Sequence, residues 1–139
     1  MSINSQSMIK VSPHFTLDEL CNWKKYPTNL PDNQSVINLV YGCIRILEPA
    51  RDAVGCPILV NSGFRNERVN KIVGGVHNSQ HRQGCAADIK CKDAKRFQQL
   101  LEVLMECPDV DQLLTGHLWC HVSWSPWSTP RHEIIINYY

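Results

Sequence analysis

The chain sorts its two kinds of hydrophobic pattern by position. Helical spacing dominates up to residue 107, and short strand-like runs crowd the end, at 110–114, 118–124 and 133–139. Helices early and strands late predict an α+β fold, with helices packed on one mostly antiparallel sheet. At 139 residues the chain has room for one compact domain. Residues 1–13 carry little pattern and read as an N-terminal arm, leaving 14–139 as that domain.

The local signals are specific. "FTLDEL" (15–20) has capping-box spacing at Thr16 and Glu19, and Phe15 is set to staple onto Leu20. Pro27 and Pro31 mark a connection. From Asp32 or Asn33, Val36, Ile37, Val40, Cys43, Ile44 and Leu47 recur at intervals of three and four. Pro49 should kink or step this helix, which ends near Gly55. "CPILVNSGFR" (56–65) reads as a short buried strand running into a polar loop, and "NERVNKIVGG" (66–75) as a brief helix stopped by glycines. "AADIKC" (86–91) alternates like a strand, and 93–107 is an amphipathic helix capped by Asp93.

Composition removes several classes of function. The net charge is +1, so nothing indicates a nucleic-acid partner or a membrane-surface field. No apolar run approaches the roughly 20 residues that span a bilayer. The start, "MSINSQSMIK", lacks the basic and apolar regions of a signal peptide, so synthesis in the cytosol is expected, with later release by lysis still open. The seven cysteines include no CxxC pair and read as small buried hydrophobes of a reducing compartment. A monomer is expected.

A lone histidine is more often a surface or core residue than a ligand, so of the six histidines His14 and His132 carry no functional weight, whereas His81 has Asp88 seven positions on, with small residues between. Those small residues let a loop fold back so that both side chains reach one ion. Asp88 also enters a strand beside Ile89, where an unpaired carboxylate is expensive and a metal would neutralise it. A pairing with an arginine such as Arg65 would answer the same charge, and both readings stand on this pair alone. A catalytic zinc needs a third ligand. "WCHVS" (119–123) offers His121 on a strand face with Trp119 and Ser123, although a core histidine bonded to a backbone carbonyl would look the same. Arg65, leaving a strand through "NSGFRN", could hold a substrate carboxylate or a developing oxyanion with paired hydrogen bonds.

Taken in order, "VNSGFRN", "VGGVHNSQHRQGCAAD" and "WCHVSW" resemble the zinc peptidases of the D-alanyl-D-alanine carboxypeptidase family. Its relatives include phage endolysins that cut L-Ala–D-Glu bonds and the hedgehog signalling domain. "FTLDEL" and "DQL" (111–113) resemble its short, single-domain branch, common in phages and prophages. The resemblance implies a hedgehog-like α+β fold, zinc on His81, Asp88 and His121, substrate contact by Arg65, and a positioning role for Ser79 in the loop or the substrate. It implies a peptidoglycan stem or cross-link peptide as substrate; the lack of a signal-peptide pattern fits delivery to the wall by lysis or with a virion, and a host cytosolic role on imported muropeptides is the alternative.

The family's general base departs from the pattern. A carboxylate is expected a few residues before the second histidine, yet Gly116 stands there and Leu118 is no substitute. His117 is one replacement, since imidazole accepts protons near neutral pH. Asp111 or Glu133 reaching in from elsewhere is another. The third possibility is a zinc-containing module that binds a wall peptide or a protein and cleaves slowly or not at all. The aromatic run "WSPWS" (124–128) could give such a module a contact surface, or pack as an ordinary loop.

Overall fold

A computed structural model describes residues 9–136. β1 (Lys10–Ser12), in the expected arm, pairs antiparallel with β2 (Phe15–Thr16). α1 (Leu17–Leu20) begins on the capping box: the Glu19 N–H donates to Thr16 Oγ1 at 3.4 Å and the Thr16 N–H to Glu19 Oε1 at 2.9 Å. Phe15 and Leu20, the staple pair, are both buried.

α2 (Asn33–Gly42) starts on Asp32 and runs through one π turn (Cys43–Leu47) into α3 (Glu48–Val54). Pro49 accounts for the π turn. It has no N–H, and its ring crowds the carbonyl four residues back, so the ladder widens just ahead of it. The Glu48 N–H accordingly bonds the Cys43 carbonyl, five residues back. α4 (Glu67–Ile72) is capped by Asn66 and α5 (Ala94–Glu106) by Asp93, whose side chains accept from Val69 and Arg96 N–H groups.

β3 (Leu59–Ser62), β4 (Ala86–Lys90), β5 (Gln112–Thr115), β6 (Cys120–Ser123) and β7 (Glu133–Ile135) form a sheet in the order β3-β4-β6-β5-β7. Every neighbouring pair is antiparallel except β5 and β7. Alternation divides the two central strands cleanly. Ala87 and Ile89 of β4, with Cys120 and Val122 of β6, join Leu39, Ile46, Leu47, Leu100 and Leu104 in one core. Asp88 and His121 alternate with them and take the other face.

Several expectations need correcting. The stripe of α2 does not face inward as a whole: Ile37, Val40 and Ile44 are 59%, 37% and 51% exposed. Ser35, Asn38, Leu39 and Gly42 are buried instead. Polar bonds fix that face, because the Asn38 amide donates to the Gln83 carbonyl and the Asn38 carbonyl accepts from Trp124 Nε1, both at 2.8 Å. β3 is not a buried strand; it lies at the sheet edge with Leu59 exposed. Trp124 is not a surface aromatic but a core residue, whereas Trp127 is exposed. The last strand is short, and 137–139 of its expected range lie outside the described residues.

The β1–β2 pair is held down by a buried acid. Glu48 accepts from Ser12 Oγ at 2.6 Å and from the His14 N–H at 2.7 Å, and faces His14 Nδ1 at 2.6 Å. Burial raises the Glu48 pKa, but the bonds from Ser12 and His14 outweigh it and hold the carboxyl below its ordinary value. The unfolded chain therefore binds the proton more readily, so Glu48 contributes stability above the ordinary value of about 4.3 and loses it as pH falls through the folded value. Glu48→Gln is expected to cost about 1–3 kcal/mol near neutral pH in urea unfolding, with the gap narrowing in acid. A gap of constant size across pH would contradict this role.

Candidate metal centre

Register brings two candidate ligands together. In the β4–β6 ladder Asp88 lies directly opposite His121. Directly opposed side chains in an antiparallel pair share one face and sit about 5 Å apart at Cβ. His81 arrives from above, in a 3₁₀ turn (Gln80–Gln83) that leads into β4. Ser79 caps this turn, its Oγ accepting from the His81 N–H at 3.2 Å. Gly84 ends the turn at φ +71, and a Cβ there would meet the Ser35 carbonyl oxygen at 2.5 Å. The glycine of "HRQG" is thus required twice, by backbone conformation and by contact with α2.

The three side chains converge. His121 Nδ1 lies 2.9 Å from Asp88 Oδ1 and 3.2 Å from His81 Nε2, and His81 Nε2 lies 3.3 Å from Asp88 Oδ1. Tetrahedral bonds of about 2.0–2.2 Å would put ligand atoms roughly 3.3–3.6 Å apart. The 3.3 Å edge lies in that range and the 3.2 Å edge just below it, while the 2.9 Å edge between His121 and Asp88 is a hydrogen-bond distance. Two imidazole nitrogens and one carboxylate oxygen suit a borderline-soft divalent cation, so these residues fit a zinc ion with coordination positions left for water or substrate. Among the described residues no fourth His, Cys, Asp or Glu joins the group, whose ligand atoms all lie within 4.8 Å of one another.

The surroundings prepare these ligands. His81 Nδ1 sits 2.6 Å from the Gly63 carbonyl, which can only accept, so Nδ1 carries the hydrogen and Nε2 is bare toward the triad. Gly63 can offer that carbonyl because it passes close under α1; a Cβ there would meet the Leu20 carbonyl oxygen at 2.3 Å. Burial pushes the His81 pKa down against the pull of Asp88, which favours the neutral, ligating imidazole. Burial would raise Asp88, but the hydrogen bond from His121, with His81 close by, prevails and holds it far below the usual carboxylate range.

Arg65 completes the site, and it pairs with Asp88 as the alternative to a metal required. The two readings turn out to be compatible, because Asp88 divides its oxygens: Oδ1 faces the imidazoles, and Oδ2 lies 3.3 Å from Arg65 Nη2. Ser62 Oγ takes the Arg65 Nε hydrogen at 3.0 Å, Asn70 Oδ1 lies 3.4 Å from Nη1, and the Arg65 N–H bonds the His81 carbonyl at 2.9 Å. Ser62, Gly63 and Asn70 were not singled out from sequence, although the first two lie within "SGFR".

The proposed bases fare differently. His117 is exposed in the β5–β6 turn, next to Leu118 at φ +59. Asp111 does not reach the triad; its carboxylate is occupied by Arg131 and Gln80. Glu133 is turned to Gln112, with 2.5 Å between Oε1 and Nε2. Gly116 lies against the Trp119 indole, and a Cβ on it would fall 2.2 Å from Trp119 Nε1. The ring therefore occupies the space through which a carboxylate at 116 would emerge.

A family model described as Peptidase M15 matches residues 13–123, a span holding the triad, Arg65 and Ser79. A search of curated proteins gave no match. Zinc at about 100 times its dissociation constant is expected to stabilise the wild type by about 2.7 kcal/mol in urea or thermal unfolding. Asp88→Ala is expected to abolish that gain; its persistence would put the ion elsewhere.

Proposed function

We propose that this chain, which belongs to the Peptidase M15 family, is a zinc peptidase acting on stem or cross-link peptides of peptidoglycan. The observation that carries the reading is the convergence of His81, Asp88 and His121 inside the family match. The family is zinc-dependent, which favours zinc over iron for a donor set that would suit either. Zinc bound there supplies Lewis acidity, making water acidic enough to ionise near neutral pH and polarising a scissile carbonyl.

The chain's own residues supply the rest. Arg65 is 13% exposed at its side chain and anchored on Ser62, Asn70 and Asp88, so its charge is aimed before substrate arrives. Its remaining N–H groups suit the free carboxylate of a peptide ending in a D-residue, or the oxyanion formed on attack. Ser79 acts on the loop by capping the His81 turn. The water's proton must pass to the leaving amine. His117 is the imidazole nearest in sequence to the missing carboxylate, and we assign it that transfer, with the exposed turn closing over bound peptide.

A second reading draws on one specific observation. With Trp119 packed on Gly116, the position of the family base has no room for an acid, which suits a zinc-containing module that binds wall peptide or protein and turns it over slowly. Losing general-base help alone lowers a rate by about 10²–10⁴-fold.

The deciding assay incubates zinc-loaded protein with cross-linked muropeptides and follows products by mass spectrometry. Cleavage is expected. His117→Ala is expected to lower turnover by about 10²-fold or more while zinc content stays unchanged. Stoichiometric zinc with no product from any muropeptide would leave the binding module. Unchanged turnover in His117→Ala would give the proton transfer to another group.

A further inference from the structure

We propose that Asp111 and Arg131 form a latch that acts through Gln80 to set how tightly the His81 turn holds its metal. The proposal rests on the zinc reading above and gives a positioning role to three residues outside the ligand set.

The latch joins four segments at one buried carboxylate. Asp111 is 4% exposed; its N–H donates to the Ser123 carbonyl at 2.8 Å, and its carbonyl accepts from the Glu133 N–H at 2.9 Å. Asp111 Oδ1 accepts from the Arg131 N–H at 2.8 Å and from Arg131 Nε at 3.2 Å. Oδ2 accepts from Arg131 Nη2 at 2.9 Å and Nε at 3.2 Å, and from Gln80 Nε2 at 3.0 Å. Gln80 closes the ring: Nε2 also donates to the Trp124 carbonyl at 3.2 Å, and Oε1 lies 3.4 Å from Arg131 Nη2.

Gln80 directly precedes His81, so the turn is tied on two sides. The His81 ring is fixed to Gly63, just past β3, while the Gln80 side chain is fixed to Asp111 at the start of β5. Two anchors on opposite halves of the sheet leave the turn little freedom to move Nε2 out of the triangle. Loss of an outer-shell partner that orients a ligand typically costs 10–100-fold in metal affinity. The backbone of the turn has bonds of its own, with the Cys85 N–H on the Gln80 carbonyl at 3.0 Å, so removing the Gln80 side chain loosens the turn without dissolving it. The charge pairing is the strong part: a charge-assisted acceptor holds the Gln80 amide more firmly than a neutral one would.

The test measures zinc affinity by competition with a chromophoric chelator, and amide exchange at residues 82–85 in the metal-free protein. Gln80→Ala is expected to weaken zinc binding about 10–100-fold and speed that exchange, with unfolding of the metal-free protein little changed. Gln80→Glu, which sets two carboxylates together, is expected to bind zinc at least as poorly. Adding Asp111→Asn to Gln80→Glu restores opposed partners, with Arg131 following the charge, and is expected to recover at least tenfold in affinity. Wild-type affinity in Gln80→Ala, or no recovery in the double variant, overturns the latch. Failure of the peptidase reading looks different: if the wild type binds zinc but cleaves nothing, the affinities still decide. If the wild type binds no zinc, unchanged exchange in Gln80→Ala overturns the latch.

Discussion

A carboxylate on an interior strand sets the terms for this structure. Asp88 sits in β4, flanked in sequence by Ala87 and Ile89, both buried without residue of exposure. Charge in such a place has to be answered locally, because desolvation of an unpaired carboxylate would exceed the margin by which small domains are stable. The fold supplies three partners from three directions: His121 across the ladder, His81 from the 3₁₀ turn and Arg65 from the loop after β3. Each partner in turn fixes its own segment. Arg65 and His81 share a backbone bond, His81 reaches Gly63, and Gly63 lies against the end of α1. The site is therefore a junction that organises loops as well as a place for chemistry.

Much of this was legible in the sequence because the signals are local or periodic. The capping box, the step at Pro49 and the alternation that separates Asp88 from Ala87 and Ile89 all follow from rules that act over a few residues. His81, Asp88 and His121 were legible because ligand chemistry and motif order agreed. The face of α2 was not. Its apolar stripe suggested one orientation, but Asn38 binds both the turn before β4 and Trp124, contacts 45 and 86 residues distant in sequence, and those polar bonds decide which side goes in. The fate of Asp111 was equally invisible, because Arg131 approaches only once β7 lies beside β5.

The departure from the family pattern also has a physical shape. At Gly116, where the resemblance implies a carboxylate, the Trp119 indole packs on the backbone, so placing a side chain there would require the ring to move. The turn between β5 and β6 instead presents His117 to solvent, three residues before the strand that carries His121. His81, Asp88 and His121 all lie outside this turn, on the 3₁₀ turn, β4 and β6.

The central claim is that one cation sits among His81 Nε2, His121 Nδ1 and Asp88 Oδ1. Anomalous diffraction across the zinc edge, from crystals of protein loaded with stoichiometric zinc, tests it directly. The account predicts a single strong peak about 2.0–2.2 Å from each of those three atoms. A peak held by cysteines or surface carboxylates, with the triad still bonded to itself, would contradict it.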